Sequence, residues 1–376
     1  MLTYPLLIQF SFKYFRDTNH SSGSGLKRGV LIGATVNAIA GGMRWLGAMP
    51  SISGFVVLFL GQTMAAVAQV FIFSVPPQLA VAWFPEDEIN IATSIAISAN
   101  SLGVGVGFAL TPLVVKSSTS KIDIPNLLLI QFIICLASLV MIWIAFQKRP
   151  SYEKHTPSDM DTSEQSVHLL RQKDFIYILA SFGIIMGGQC AIATLLAQII
   201  IPPLHVDETF IGLLGSAMLF SGSLASILAG YYLDKTLKYR ELSRSLSLII
   251  ALTLVGLLVS VEIGSLAGVV IACMGFDLAS YAFFPAIIQF TGELFYPINK
   301  IIPTGYLISA GNIGGVLLVA LMSWAEDTNN VFSMRLPLAY LTIAMLASTF
   351  MMYQVKGALH RIAQKQPVIQ CTAALS

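Results

Sequence analysis

"AGYYLDKTLKYRELSRSLSLII", residues 229–250, sets Asp234, Lys235, Lys238, Arg240, Glu241 and Arg244 between two long apolar runs. Only 11% of the 376 residues are charged and 56% are hydrophobic, so this concentration marks a short polar turn between two segments that avoid water. A soluble domain needs about 25% charged residues to make its skin, and a mean hydropathy of +0.77 leaves no such skin here. The composition predicts a polytopic membrane protein. Apolar runs long enough for helices, which pair every backbone N–H and C=O within one segment, also predict an all-α fold. A net charge of +2 offers no footprint for nucleic acid. The N-terminus runs straight into mixed apolar and basic sequence, so no separate signal peptide is expected. Cys135, Cys190, Cys273 and Cys371 have no CxxC or paired spacing, which predicts neither a disulfide framework nor a metal site.

Outward from that turn, helical runs of the roughly 20 apolar residues a bilayer core requires lie at 29–48, 54–83, 90–115, 124–146, 175–202, 209–233, 245–262, 264–292, 300–324 and 334–356. These are about ten complete transmembrane helices, preceded by a remnant, "MLTYPLLIQFSFKYF". The one long polar segment, centred on "QKRPSYEKHTPSDMDTSEQSVHLLRQKD", divides the chain. The expected organisation is a truncated N-terminal helical bundle over 1–146 and a cytoplasmic central loop over 147–174. A six-helix C-terminal bundle follows over 175–358, and a cytoplasmic tail over 359–376. Lysine and arginine collect on one side if the central loop is cytoplasmic, leaving only Lys116, Lys121 and Arg335 outside. Both termini are then cytoplasmic, and the sequon at Asn19 carries no sugar.

The charged turn has an earlier counterpart. Asp17, then Gly25, Lys27 and Arg28, lead into the span at 29 much as Asp234 and its basic neighbours lead into the span at 245. One such unit on either side of a long central loop is the pattern of a two-bundle transporter. The paired loops resemble the signature loops of the major facilitator superfamily. "GQTMAAVAQVFIFSVPPQLAVAWFPEDE" (61–88), "SIAISANSLGVGVGFALTP" (94–112), "FGIIMGGQCAIATLLAQII" (182–200), "GELFYP" and "GYLISAGNIGG" (292–315) resemble its feline leukaemia virus subgroup C receptor-related branch, the haem and choline transporter-like carriers. The resemblance implies twelve helices in two six-helix bundles, of which this chain lacks the first and most of the second. It also implies a pocket for a quaternary ammonium built from aromatic faces and glutamines. Ser101 and Asn312 stand here where glutamines are expected, and Cys190 where an aromatic is expected. His20, His155, His168, His205 and His360 all fall in loops or the tail, with no ligand-like spacing for haem.

Read from the residues themselves, Asp277 is the sharpest candidate. It lies near the middle of the run 264–292, where an ionised carboxylate is costly and where such residues commonly serve as proton or cation sites. The plain alternative is a carboxyl tied to a neighbouring helix through partners such as Ser280. Asn100, Ser101, Gln189, Cys190, Gln198, Gln289 and Asn312 are the other candidates for a substrate pathway, since buried amides require partners and some of these serve only as glue between helices. Arg44, near the outer end of its span, is either a snorkelling anchor or an outer-gate charge. "GVGVG" (103–107) has no following lysine and sits in an apolar helix, so it predicts a close helix contact rather than a phosphate loop. Prolines at 76–77, 202–203, 285 and 303 predict kinks or helix ends.

The basic turn faces an acidic one. Glu86, Asp87 and Glu88 open the span at 90, and pairing of Glu88 with Arg240, alongside Asp234, Lys235 and Glu293, is the expected inner gate. Nothing in the spans converges as nucleophile, base or metal ligand, so no enzyme and no cofactor are expected. The expected function is movement of a small organic solute by alternating access, with choline or ethanolamine, haem or a vitamin-like amine as substrate and protons as a coupling ion. The plasma membrane is the favoured location and a lysosomal or other organelle membrane the alternative. The partners are the lipid bilayer and the solute, with no nucleic acid and no prediction of oligomeric state. The alternative from another class is a non-transporting membrane protein, a receptor or the partner of a full-length carrier.

Overall fold

The computed structural model describes residues 5–7, 24–48, 52–73, 75–85, 88–115, 120–146, 162–296, 298, 300–326 and 333–357. Glu86, Asp87, Asp17, the sequon at Asn19, Cys371 and most of the central loop and tail lie outside them. Twelve helices are labelled among the described residues: α1 Ser24–Gly47, α2 Ile52–Ile72, α3 Val75–Trp83, α4 Ile89–Val114, α5 Ser120–Ala145, α6 Thr162–Leu170, α7 Lys173–Leu204, α8 Glu208–Thr236, α9 Tyr239–Ile263, α10 Leu266–Leu294, α11 Ile301–Trp324 and α12 Arg335–Gln354.

Nine helical stretches among the described residues are long and apolar enough to cross a membrane. The ten expected spans differ from this at one place. The stretch 29–48 does form a helix, α1, but its glycines, alanines, Asn37 and Arg44 keep it below that apolarity. It packs along α2 and α5 instead of presenting a broad greasy face. The expected span 54–83 is interrupted as its prolines predict. Pro76 and Pro77 have no N–H to continue the ladder, so α2 ends and α3 begins afresh. Pro202 and Pro203 occupy the last turn of α7, which closes on His205 in the left-handed conformation. The polar central segment holds a surprise. It contains α6, which docks against α7 and α11 with Leu169 fully buried.

The core lies in the second half of the chain, among α7, α9 and α10. Phe175, Phe182, Phe276, Phe283 and Phe290 are each no more than 1% exposed. Phe175 meets Phe295 edge to face with centroids 5.5 Å apart, the geometry that aromatic quadrupoles favour. Helices α7 and α11 approach until backbone touches backbone. A Cβ on Gly187 would lie 2.5 Å from the carbonyl carbon of Gly314. Small residues of this kind allow membrane helices to gain dispersion contact where no hydrophobic force separates helix from lipid. By contrast α5 leaves Met141, Trp143 and Ile144 exposed, a face suited to lipid.

Candidate functional site

Helix α4, from the first half of the chain, lies against α8 and α10 of the second half, and the polar chemistry gathers along that seam. On α4, Asn90, Thr93, Ser94, Ser98 and Ser101 recur at three- and four-residue spacing, and all are buried. On α8 the facing positions are Ser223, Ser226, Gly230 and Asp234. The Ser98 hydroxyl donates to the Ser223 carbonyl at 3.0 Å. Gly230 is what lets the two helices meet, since a Cβ there would come within 2.7 Å of Ser94 Cβ and 2.8 Å of the Asn90 carbonyl oxygen.

At the end of the seam nearest the 234–244 turn, Asp234 serves helix α4 from across the seam. Its Oδ1 accepts from the Asn90 backbone N–H at 3.1 Å and from Asn90 Nδ2 at 2.6 Å. Its Oδ2 accepts from the Ile91 N–H at 2.7 Å. Helix α4 has Glu88 at its N-cap, and Glu88 makes no side-chain capping bond. The open N–H groups of the first turn, which ordinarily call for a capping oxygen, are thus supplied in trans by a carboxylate that the positive end of the helix also attracts. Asn90 Nδ2 lies 3.1 Å from the Tyr239 hydroxyl as well, adding α9 to the contact.

One turn deeper, Gln289 of α10 bridges three elements. Its Nε2 donates to Thr93 Oγ1 of α4 at 2.7 Å, and its Oε1 accepts from Lys300 Nζ at 3.1 Å. Lys300, at the start of α11, also lies 3.5 Å from Glu293. Substituting Gln289→Leu removes both bonds from a buried site and is expected to weaken closure of this seam by about 2 kcal/mol. The readout is the maleimide labelling rate of a cysteine placed at Ser94, expected to rise roughly thirtyfold. An unchanged rate would remove this network from the gate.

Near mid-span, Gln189 Nε2 of α7 donates to Asp277 Oδ1 at 3.2 Å, while Asp277 Oδ2 has no hydrogen-bond partner among the described residues. Tyr281, one helical turn on, lies beside Ser101 of α4. Gly222 of α8 makes room for both, with Tyr281 and Asp277 packed where its Cβ would stand.

The structure therefore brings Ser101, Gln189, Asp277 and Gln289 to one seam. Others of the expected set go elsewhere. Asn100 and Gln198 are exposed on their helices, Cys190 is half-buried, and the Asn312 amide donates to Ile308 of its own helix. Ser280, the expected partner of Asp277, instead donates to the Phe276 carbonyl. Arg44 donates to Gln131 Oε1 of α5 at 3.0 Å. Of "GVGVG", only Gly105 approaches another helix, while Gly103 and Gly107 have nothing within 4 Å. The expected pairing of Glu88 with Arg240 is not the one formed. Glu88 is exposed, and Arg240 donates to the Gly357 carbonyl. Arg244 likewise serves the carbonyls of Met352, Tyr353 and Val355, because the last turn of α12 has no intrahelical donors left to offer them. Lys235 lies over the Tyr231 ring. Sequence reading missed Asn90, Thr93, Gly230, Tyr281 and Lys300. The three- and four-residue spacing of small polar residues on α4 was the available signal.

A family model, that of the Major Facilitator Superfamily, matches residues 21–319. The chain belongs to the Major Facilitator Superfamily. It is thus a multi-pass membrane protein of a transporter family, not of an enzyme family. An uncharacterized MFS-type transporter of Caenorhabditis elegans is 26% identical over 94% of this chain. The choline/ethanolamine transporters flvcr2b of Danio rerio and FLVCR2 of Homo sapiens are each 27% identical, over 96% and 84% of it. The chain spans 61%, 75% and 61% of those three proteins respectively. The fold is also that of the E. coli fucose:proton symporter FucP, with a TM-score of 0.66, 15% identity, and 93% of this chain and 90% of that one covered. A bacterial homologue of the iron transporter ferroportin in an outward-facing state gives a TM-score of 0.67 at 15% identity, covering 94% and 87%.

Proposed function

We propose that this protein carries a small organic amine across the membrane by alternating access, with the α4–α8–α10 seam as the gate that closes one end. The observation that carries the reading is the capping of α4 by Asp234 from the other half of the chain. Such a cap is made when the seam is shut and is lost when it opens. The solute class draws on the choline/ethanolamine transporters among the relatives and on the polar positions Asn100, Cys190, Gln198 and Asn312, whose polar groups are better placed toward a water-filled pathway than toward lipid. The two halves, 1–146 and 175–358, act as the moving bundles. The lysine and arginine bias supports a cytoplasmic 234–244 turn and cytoplasmic termini, and the plasma membrane is the proposed location. Protons are the proposed coupling ion.

The test is uptake of labelled choline, ethanolamine, pyridoxine and haem by cells expressing this chain, beside mock cells. Choline or ethanolamine is expected to accumulate above the mock level. If a folded, surface-confirmed chain moves none of the four, the receptor or partner reading replaces this one.

A further inference from the structure

Asp277 is 4% exposed, and its Oδ2 is a buried oxygen with no hydrogen-bond partner among the described residues. The groups around it are few. Its own helix contributes Cys273 one turn before and Tyr281 one turn after, and α7 contributes Gln189, with Cys190 toward Tyr281. Helix α8 contributes Gly222, and α4 contributes Ser101 through Tyr281. No lysine, arginine or histidine among the described residues of these helices or of α9 and α11 faces the carboxyl. A carboxylate left with one amide donor and no cation in such a place is far from compensated.

The space decides what can compensate it. A methyl-sized group at Gly222 would lie 3.1 Å from Oδ2 and only 2.5 Å from the Tyr281 ring, so on the α8 side the packing leaves no room for an organic cation. A bare metal ion requires several oxygen ligands, and the amide here turns a nitrogen toward the carboxyl. A proton requires no space. We propose that Asp277 is a proton site whose occupancy favours the closed seam, and that Tyr281 transmits its state to α4 through Ser101. An O–H bond forms at Oδ2 with a proton from bulk water. When α4 parts from α8 and α10, the Tyr281–Ser101 contact is lost, water reaches the carboxyl, and the proton returns to water. The inference rests on the alternating-access reading and adds its sign: acid closes the end of the molecule that carries the 234–244 turn.

The experiment uses the full chain in lipid nanodiscs, spin-labelled at the exposed positions Phe84 and Leu237, with the distance distribution recorded at about pH 7.5 and about pH 5.5. The short-distance population is expected to rise at least roughly threefold on acidification. In Asp277→Asn it should be the same at both pH values and biased to the short distance. Tyr281→Phe keeps the ring and the carboxyl while cutting the link to Ser101, so it decides the matter should the first variant fail to fold. Its distances should no longer follow pH. A wild-type population that ignores pH overturns the proposal, as does either variant titrating like the wild type. Solute uptake, measured separately, keeps the two readings apart. Flux without a pH-dependent distance removes the proton site and leaves the carrier, while a pH-dependent distance without flux keeps the site and removes the carrier.

Discussion

Replacing Asp234 by alanine is expected to shift the protein toward the form open at the 234–244 turn by about 3 kcal/mol, roughly a hundredfold in the equilibrium. Three hydrogen bonds converge on this one carboxylate, two of them from backbone N–H groups in the first turn of α4. Neutral hydrogen bonds contribute about 1 kcal/mol each, and those to a charged group about 1.5–3. The side chain is half-buried, so solvent screening trims the sum, while the helix macrodipole adds to it. Asp234→Asn separates the two contributions, because it keeps the shape and one acceptor oxygen but loses the charge. It should lie between wild type and alanine. The measurement is the labelling rate of a cysteine at Ser94, fully buried beside Gly230 in the closed form. Equal rates in wild type and Asp234→Ala would mean that the cap is incidental and that packing alone shuts the seam.

The larger effect belongs to Gly230→Val. The first added carbon would already stand 2.7 Å from Ser94 Cβ and 2.8 Å from the Asn90 carbonyl oxygen, a backbone atom that cannot swing aside. Overpacking of a tight contact costs about 1–3 kcal/mol where side chains can give, and more where backbone is met. The variant should therefore fold, since α8 is otherwise lined by its own half of the chain, but remain open at this end. Position 94 should label at the rate of a freely accessible cysteine, and solute flux should fall to background because the cycle cannot close. If position 94 stays protected in Gly230→Val, then α4 and α8 do not meet as described. Combining Gly230→Val with Asp234→Ala should add little, because a seam that cannot close has no cap left to lose.

Much of this architecture is legible in the sequence. Among the described residues, nine of the ten expected runs are helical, apolar and long enough to cross a membrane, one of them broken where Pro76 and Pro77 lack their N–H groups. Asp277 stood out because a carboxylate in the middle of an apolar run is rare and costly. The gate was read less well. Acidic Glu88 and basic Arg240 invited pairing by charge, yet Arg240 answers a nearer demand from the open carbonyls beyond α12. Asp234 is expected in the inner gate as one charge of the turn, whereas its hydrogen bonds go to a helix terminus 144 positions away in the chain.

The residue types alone determined that this chain lives in a bilayer, which apolar runs become its helices, and that its polar side chains would be few and concentrated. Lipid makes those outcomes local, since each segment has to satisfy its own backbone and bury its own greasy face. Which polar groups meet was settled by tertiary packing. A hydrogen bond or a glycine contact depends on the approach of two helices far apart in sequence. One residue's spacing, such as Gly230 opposite Ser94, decides whether the helices come close enough for Asp234 to reach the end of α4.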